Sequence, residues 1–134
     1  MNFIRILVKY EEQAYAVLRI MTGFLFLWHG SQKYFNFPPV PPGIVLPHYI
    51  VYIGGTIEFL GGLLILIGLW TRWAAFFACG EMAYAYWMVH ASKALLPLVN
   101  QGEIAVLYCF VFLFIWSKGA GIWSIDKIRK RQSL

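Results

Sequence analysis

The chain has 134 residues, of which 60% are hydrophobic, 19% aromatic and 13% charged. Soluble domains carry about 25% charged residues, so this chain has too little polar surface to cover itself in water, and its length suits one compact unit. Its net charge of +5 would suit nucleic acid if the basic residues formed a patch. Instead they flank apolar runs and gather in the tail as Lys127, Arg129, Lys130 and Arg131. That distribution excludes a nucleic-acid partner and indicates a membrane topology with attraction to anionic lipid.

In chain order, residues 1–10 place Phe3, Ile4, Leu7 and Val8 at helical spacing, with Arg5 and Lys9 elsewhere, as in a short helix lying on a membrane surface. Glu11 and Glu12 follow, and no small-x-small cleavage site comes after the first apolar run, so that run is expected to be retained and not cleaved as a signal. A spanning helix needs about 20 mostly apolar residues. Four runs approach this, at roughly 14–35, 49–70, 72–93 and 102–118. The runs are continuous, without the alternation of a β-barrel.

Between the first two runs stand Pro38, Pro39, Pro41, Pro42 and Pro47, which cannot continue a helix. A tight turn near Thr71–Arg72 makes the second and third helices antiparallel. Asn100, three residues before Glu103, matches a capping box for the fourth. Ser124 and Asp126 can start a short amphipathic helix at the other terminus. The expected fold is therefore an all-α, four-transmembrane-helix antiparallel bundle with a short interfacial helix at each end.

Arg5, Lys9, Arg72, Lys118 and the four basic tail residues fall on one side, against Lys33 and Lys93 on the other. The positive-inside rule makes the first side, with both termini, cytoplasmic. Trp70, Trp73, Trp116 and Trp123 would form the inner aromatic belt, and Trp28 and Trp87 the outer one. The expected localisation is the bacterial cytoplasmic (inner) membrane, multi-pass.

Several residues do not suit lipid. Glu58 and Glu81 each stand about nine residues into their runs, about 13 Å deep at 1.5 Å per residue, near the midplane of a core about 30 Å thick. Arg19 lies toward the cytoplasmic face. His29, Lys33, His90, Lys93 and Glu103 gather toward the outer face. Helical spacing groups Gly54, Glu58, Gly61 and Gly68 on one stripe, where glycines admit a neighbouring backbone. On the third helix Ala78, Glu81 and Ala85 share a face with Tyr84 beside it, and His90 falls on roughly the opposite side.

Two readings of these residues compete. In the first, Arg19, Glu58 and Glu81 form a polar core, with Arg19 paired to Glu58 or Glu81 and fixing helix register. In the second, His29, Glu58, Tyr84 and His90 line a pocket for a ligand, either a quinone headgroup that needs hydrogen bonds to two oxygens or a lipid. Lys33 and Lys93 are read as snorkelling ends. Cys79 and Cys109 lack C-x-x-C or zinc spacing and are read as buried small hydrophobes. No metal site is expected, nor a covalently bound cofactor.

The order of these elements resembles the DoxX family of small bacterial membrane proteins. RIMTGFLFLWHGSQK (19–33), EFLGGLLILIGLWTR (58–72), the alanine-rich 83–90 ending at His90, NQGE (100–103) and GAGIWSID (119–126) carry the likeness. The resemblance implies a four-helix bundle, and some DoxD-like relatives are subunits of a thiosulfate:quinone oxidoreductase. This chain lacks the second, DoxA-like region and any motif for haem, flavin or iron–sulfur clusters. The resemblance thus implies a quinone-interacting or accessory subunit of a membrane redox complex, with other membrane or redox subunits, or further copies of this chain, as partners. The alternative is a non-enzymatic structural, assembly or lipid-binding subunit. A transporter is disfavoured by the absence of broken spans and inverted repeats.

Overall fold

The computed structural model describes residues 8–43 and 45–133. The expected surface helix over 1–10 lies outside the described residues except for its last three. All regular structure among the described residues is helical. Helix α1 is Glu11–Phe35 and α2 is Ile50–Ile67. Helix α3 runs as Thr71–Tyr84 and continues in wider π turns over Ala85–His90. A four-residue α4, Pro97–Asn100, leads to α5, Glu103–Lys118, and α6, Ile125–Gln132, ends the description. Among the described residues one helix, Ile50–Ile67, is by itself long and apolar enough to cross a membrane. The others are less apolar over 18 residues or, like α5 with 16 residues, are shorter.

The helix ends follow local chemistry. Helix α1 stops at Asn36, which adopts a left-handed conformation (φ 51°) and returns its N–H to the Gln32 carbonyl at 3.1 Å, just before the first of the loop prolines. Helix α2 stops at Ile67 rather than near 70 because Gly68 turns left-handed (φ 70°), and Trp70 (φ 47°) then starts α3. This short turn makes α2 and α3 antiparallel. The capping box expected at α5 is not formed. The Asn100 side chain accepts from the Gly102 N–H at 2.7 Å and donates to the Ala94 carbonyl at 2.7 Å, holding the turn before α5. Ser124 does cap α6, accepting from the Lys127 N–H at 3.3 Å.

Helix α1 packs on α2, and α3 packs on both α2 and α5; α1 and α5 meet through a few side chains, Phe26 against Phe112 among them, which leaves a seam between them. The α1–α2 contact is backbone on backbone. A Cβ on Gly23 would stand 2.7 Å from the Gly62 carbonyl oxygen, and one on Gly62 would stand 2.9 Å from the Gly23 oxygen. The α3–α5 contact uses the small face Ala74, Ala75 and Ala78 against Phe112 and Ile115, all buried. Small residues inside and large apolar ones outside, among them Leu25, Leu60, Phe77, Leu107 and Phe110, make an arrangement suited to lipid rather than water.

One end of the bundle is held by three charged side chains. Arg19 is fully buried, yet neither Glu58 nor Glu81 is its partner. Its guanidinium donates to the carbonyls of Ile65 (2.6 Å) and Leu66 (2.9 Å) at the end of α2, and to those of Trp123 (2.7 Å) and Ile122 (3.3 Å). Helix-terminal carbonyls lack intrahelical donors, so the two terminal nitrogens of this buried guanidinium find acceptors there and in the 122–123 turn without a counter-ion, while Nε has no hydrogen-bond partner among the described residues. Arg72 does the same for the end of α5, donating to the Trp116 and Ser117 carbonyls at 2.6 and 2.9 Å. Asp126 accepts from the Trp70 N–H at 2.9 Å and caps the start of α3. The Tyr15 hydroxyl donates to the Gly119 carbonyl.

Candidate functional site

The seam between α1 and α5 opens into a cavity of about 260 Å³ in the half of the bundle away from this basic end. Phe26 and His29 of α1 form one wall, and Ile104, Ala105 and Tyr108 of α5 the other. Glu58, Met82, Ala85, His90 and Gln101 complete it. His29 is exposed at its mouth, whereas Glu58 is 4% exposed.

Three of the four ligand residues read from the sequence therefore converge: His29, Glu58 and His90. Tyr84 does not join them; it is 48% exposed on the outer surface of α3. A phenol is supplied instead by Tyr108, whose ring stands 6.1 Å from that of His29, edge to face, and stacks on Phe112 at 5.6 Å. Tyr108 was hidden in the sequence within the apolar run of α5. The usable signal was a lone hydroxyl in mid-run, level with His29.

His90 reaches the cavity although the 3.6-residue period puts it on the opposite face from Glu81. The π turns over Ala85–His90 rotate the end of α3 relative to a regular helix. Its Nδ1 lies 3.0 Å from the Asn100 carbonyl oxygen. A carbonyl only accepts, so Nδ1 carries the hydrogen of this contact, and the tautomer with that hydrogen has its lone pair at Nε2. Glu58 also lies in a π stretch, Ile57–Gly61. Such turns are frequent at functional sites.

Glu58 is ion-paired with Lys33 across the α1–α2 contact. Lys33 is thus not a snorkelling end. Its side chain is 14% exposed and points inward, and its partner is 6% exposed. A buried pair has to offset the desolvation of both ions, and the close α1–α2 approach at Gly30 brings them together. Glu81 lies beside Gly54 in the α2–α3 contact, with Oε2 buried and without a hydrogen-bond partner. It belongs to the neighbourhood of the Lys33–Glu58 pair but does not line the cavity. Cys79 and Cys109 are free thiols on α3 and α5, 3.7 Å apart. Among the described residues no group of three or more His, Cys, Asp or Glu is placed to hold a metal ion.

The arrangement offers the Glu58 carboxylate, imidazoles and a phenol on the walls of a cavity that opens at the α1–α5 seam. It could hydrogen-bond a small ring bearing oxygens and move protons to or from it.

No solved structure matches the chain. An uncharacterised protein of Haemophilus influenzae is 37% identical over 125 residues, spanning 90% of this chain and 93% of that protein. The inner membrane protein YqjF of Escherichia coli is 30% identical, over 92% of this chain and 98% of its own length. A shorter match of 59 residues, 36% identical and covering 42% of this chain and 44% of the relative, is to CatD of Bacillus subtilis, provisionally named an oxidoreductase. The DoxX family model matches residues 14–91, the stretch that contains Arg19, His29, Lys33, Glu58 and His90, and the chain belongs to the DoxX family of bacterial membrane proteins.

Proposed function

We propose that the chain is a multi-pass protein of the bacterial cytoplasmic membrane and a quinone-interacting or accessory subunit of a membrane redox complex. In this reading α1, α2, α3 and α5 cross the bilayer, and the end bearing Arg72, Lys118 and α6 faces the cytoplasm. The observation that carries the quinone reading is the cavity at the α1–α5 seam, where His29, Glu58, His90 and Tyr108 meet. A cavity of about 150 Å³ holds benzene, so 260 Å³ takes one substituted ring, while the isoprenoid tail leaves through the seam into lipid. Oxidation of a quinol releases two protons and two electrons. In this reading His90 Nε2 and the Glu58 carboxylate take the two protons, and a partner subunit bearing an oxidised redox centre takes the two electrons. The partial likeness to CatD supports the redox assignment.

A second reading, a structural or assembly subunit without chemistry, is favoured by one observation. Arg19, Arg72 and Asp126, three of the charged family-like residues, hold backbone ends and touch no cavity near Glu58.

The test is quinone content and quinone-linked activity of the complex purified in mild detergent, for the native chain and for Glu58→Gln. Loss of bound quinone in a Glu58→Gln chain that stays folded, and in His90→Phe, which leaves the Lys33–Glu58 pair intact, supports the site. Unchanged quinone content and turnover in a folded Glu58→Gln protein would remove it and leave the assembly role.

A further inference from the structure

Two depressions meet at the basic end of the bundle. The first, about 680 Å³, lies between the start of α3, the 119–121 turn and α6. The second, about 450 Å³, is an apolar groove on the α2–α3 face. Trp70 and Trp73 line both, and their rings are exposed, at 58% and 69%. The groove runs from these two tryptophans past Leu64 and Leu60 to Ile57, which is next to Glu58 at the middle of α2. It therefore spans about one leaflet.

The first depression carries five cations, Arg72, Lys118, Lys127, Arg129 and Lys130, against a single carboxylate, Asp126. That carboxylate is occupied by the start of α3. Arg72 is turned to the α5 carbonyls, and Lys118 has Glu12 at 3.7 Å. Lys127, Arg129 and Lys130 form no ion pair among the described residues. A pocket with surplus positive charge, rimmed by interfacial tryptophans and continuous with an apolar groove of leaflet depth, has the shape and charge of a phospholipid. A free phosphate has no use for the groove.

We infer that the basic end binds an anionic phospholipid, with its phosphodiester among Lys127, Arg129 and Lys130 and one acyl chain along the α2–α3 groove. The inference rests on the spanning reading of the bundle and is independent of the cavity near Glu58. Gly61 leaves the groove floor open, since a Cβ there would meet nothing closer than 4.0 Å.

The delipidated chain in neutral detergent is titrated with phosphatidylglycerol, phosphatidylcholine or inorganic phosphate, and read by native mass spectrometry and melting temperature. Phosphatidylglycerol is expected to be retained and to raise the melting temperature, phosphatidylcholine to do so weakly and phosphate not at all. Lys127→Gln and Lys130→Gln should each weaken retention about fivefold. Arg131→Gln removes the same charge from a residue that lines a different depression, and should change it less than about twofold. Gly61→Leu, or Leu60→Trp if the former fails to fold, should weaken retention with every charge in place. Equal effects of Arg131→Gln and Lys130→Gln would mean a diffuse basic arm and overturn the site. So would full retention in the groove variants, or stabilisation by phosphate equal to that by phosphatidylglycerol.

Discussion

Asp126, in the first turn of α6, holds the first residue of α3: its Oδ2 accepts from both the N–H and the hydroxyl of Thr71, each at 3.0 Å. The same carboxylate takes the Trp70 N–H on its other oxygen. One acidic side chain thus closes the α2–α3 turn and ties the tail segment to it, and Asp126 N–H completes the tie at the Gly68 carbonyl, 2.9 Å away. Hydrogen bonds to charged groups contribute about 1.5–3 kcal/mol. Asp126→Ala should cost about 2 kcal/mol, read as a lower melting temperature in detergent, and should expose the 119–124 segment to protease. Asp126→Asn keeps an acceptor and should lose less.

Arg19 is the second tie. Its donors reach carbonyls on two separate segments, the end of α2 and the 122–123 turn, which only a planar fork can do at once. A lysine keeps the charge but is a compact point donor. Arg19→Lys is therefore expected to destabilise by about 2–3 kcal/mol, and Arg19→Met by at least as much, because four carbonyls then lose their donor. A melting curve of Arg19→Lys matching that of the native chain would contradict this.

The partners of the buried charges can be separated by double-mutant cycles. Lys33 and Glu58 are in direct contact, so Lys33→Met and Glu58→Gln should couple by about 1–3 kcal/mol. Arg19 and Glu58 share no partner, so Arg19→Met and Glu58→Gln should add within about 0.5 kcal/mol. Strong Arg19–Glu58 coupling would instead support the direct pairing expected from composition.

The contrast shows what the sequence could and could not reveal. Apolar run length, prolines and glycines located the helices within a few residues, because those signals are local. The glycines were only partly legible: the close backbone contact expected of the Gly54–Glu58–Gly61 stripe is made instead by Gly62 against Gly23, while a Cβ on Gly61 would meet nothing closer than 4.0 Å. Arg19 was misassigned because charges in a sequence suggest charges as partners, whereas its partners are carbonyls that any residue carries. His90 and Glu81 do face different surroundings, the cavity and the α2–α3 contact, but a single helical period does not give the direction of His90, because the π turns over Ala85–His90 depart from it. Lys33 was read as an end group because position along the helix says nothing about which way a long flexible stem points.

The α1–α2 contact offers a further test, because it sets the distance across which Lys33 meets Glu58. At Gly23 the atoms that a Cβ would strike are backbone, Gly62 O at 2.7 Å and Leu66 Cα at 2.9 Å, and backbone within a helix cannot swing aside as a side-chain end can. Gly23→Ala must therefore push the helices apart, at a cost of about 1–3 kcal/mol. Gly80→Ala, with nothing within 4 Å of the added carbon, should be neutral or slightly stabilising, since alanine favours helix by about 1 kcal/mol. The separation also lengthens the Lys33–Glu58 contact, so the coupling between those two residues should fall in the Gly23→Ala background. A cycle that returns the native coupling energy there would show that the ion pair does not depend on the glycine contact.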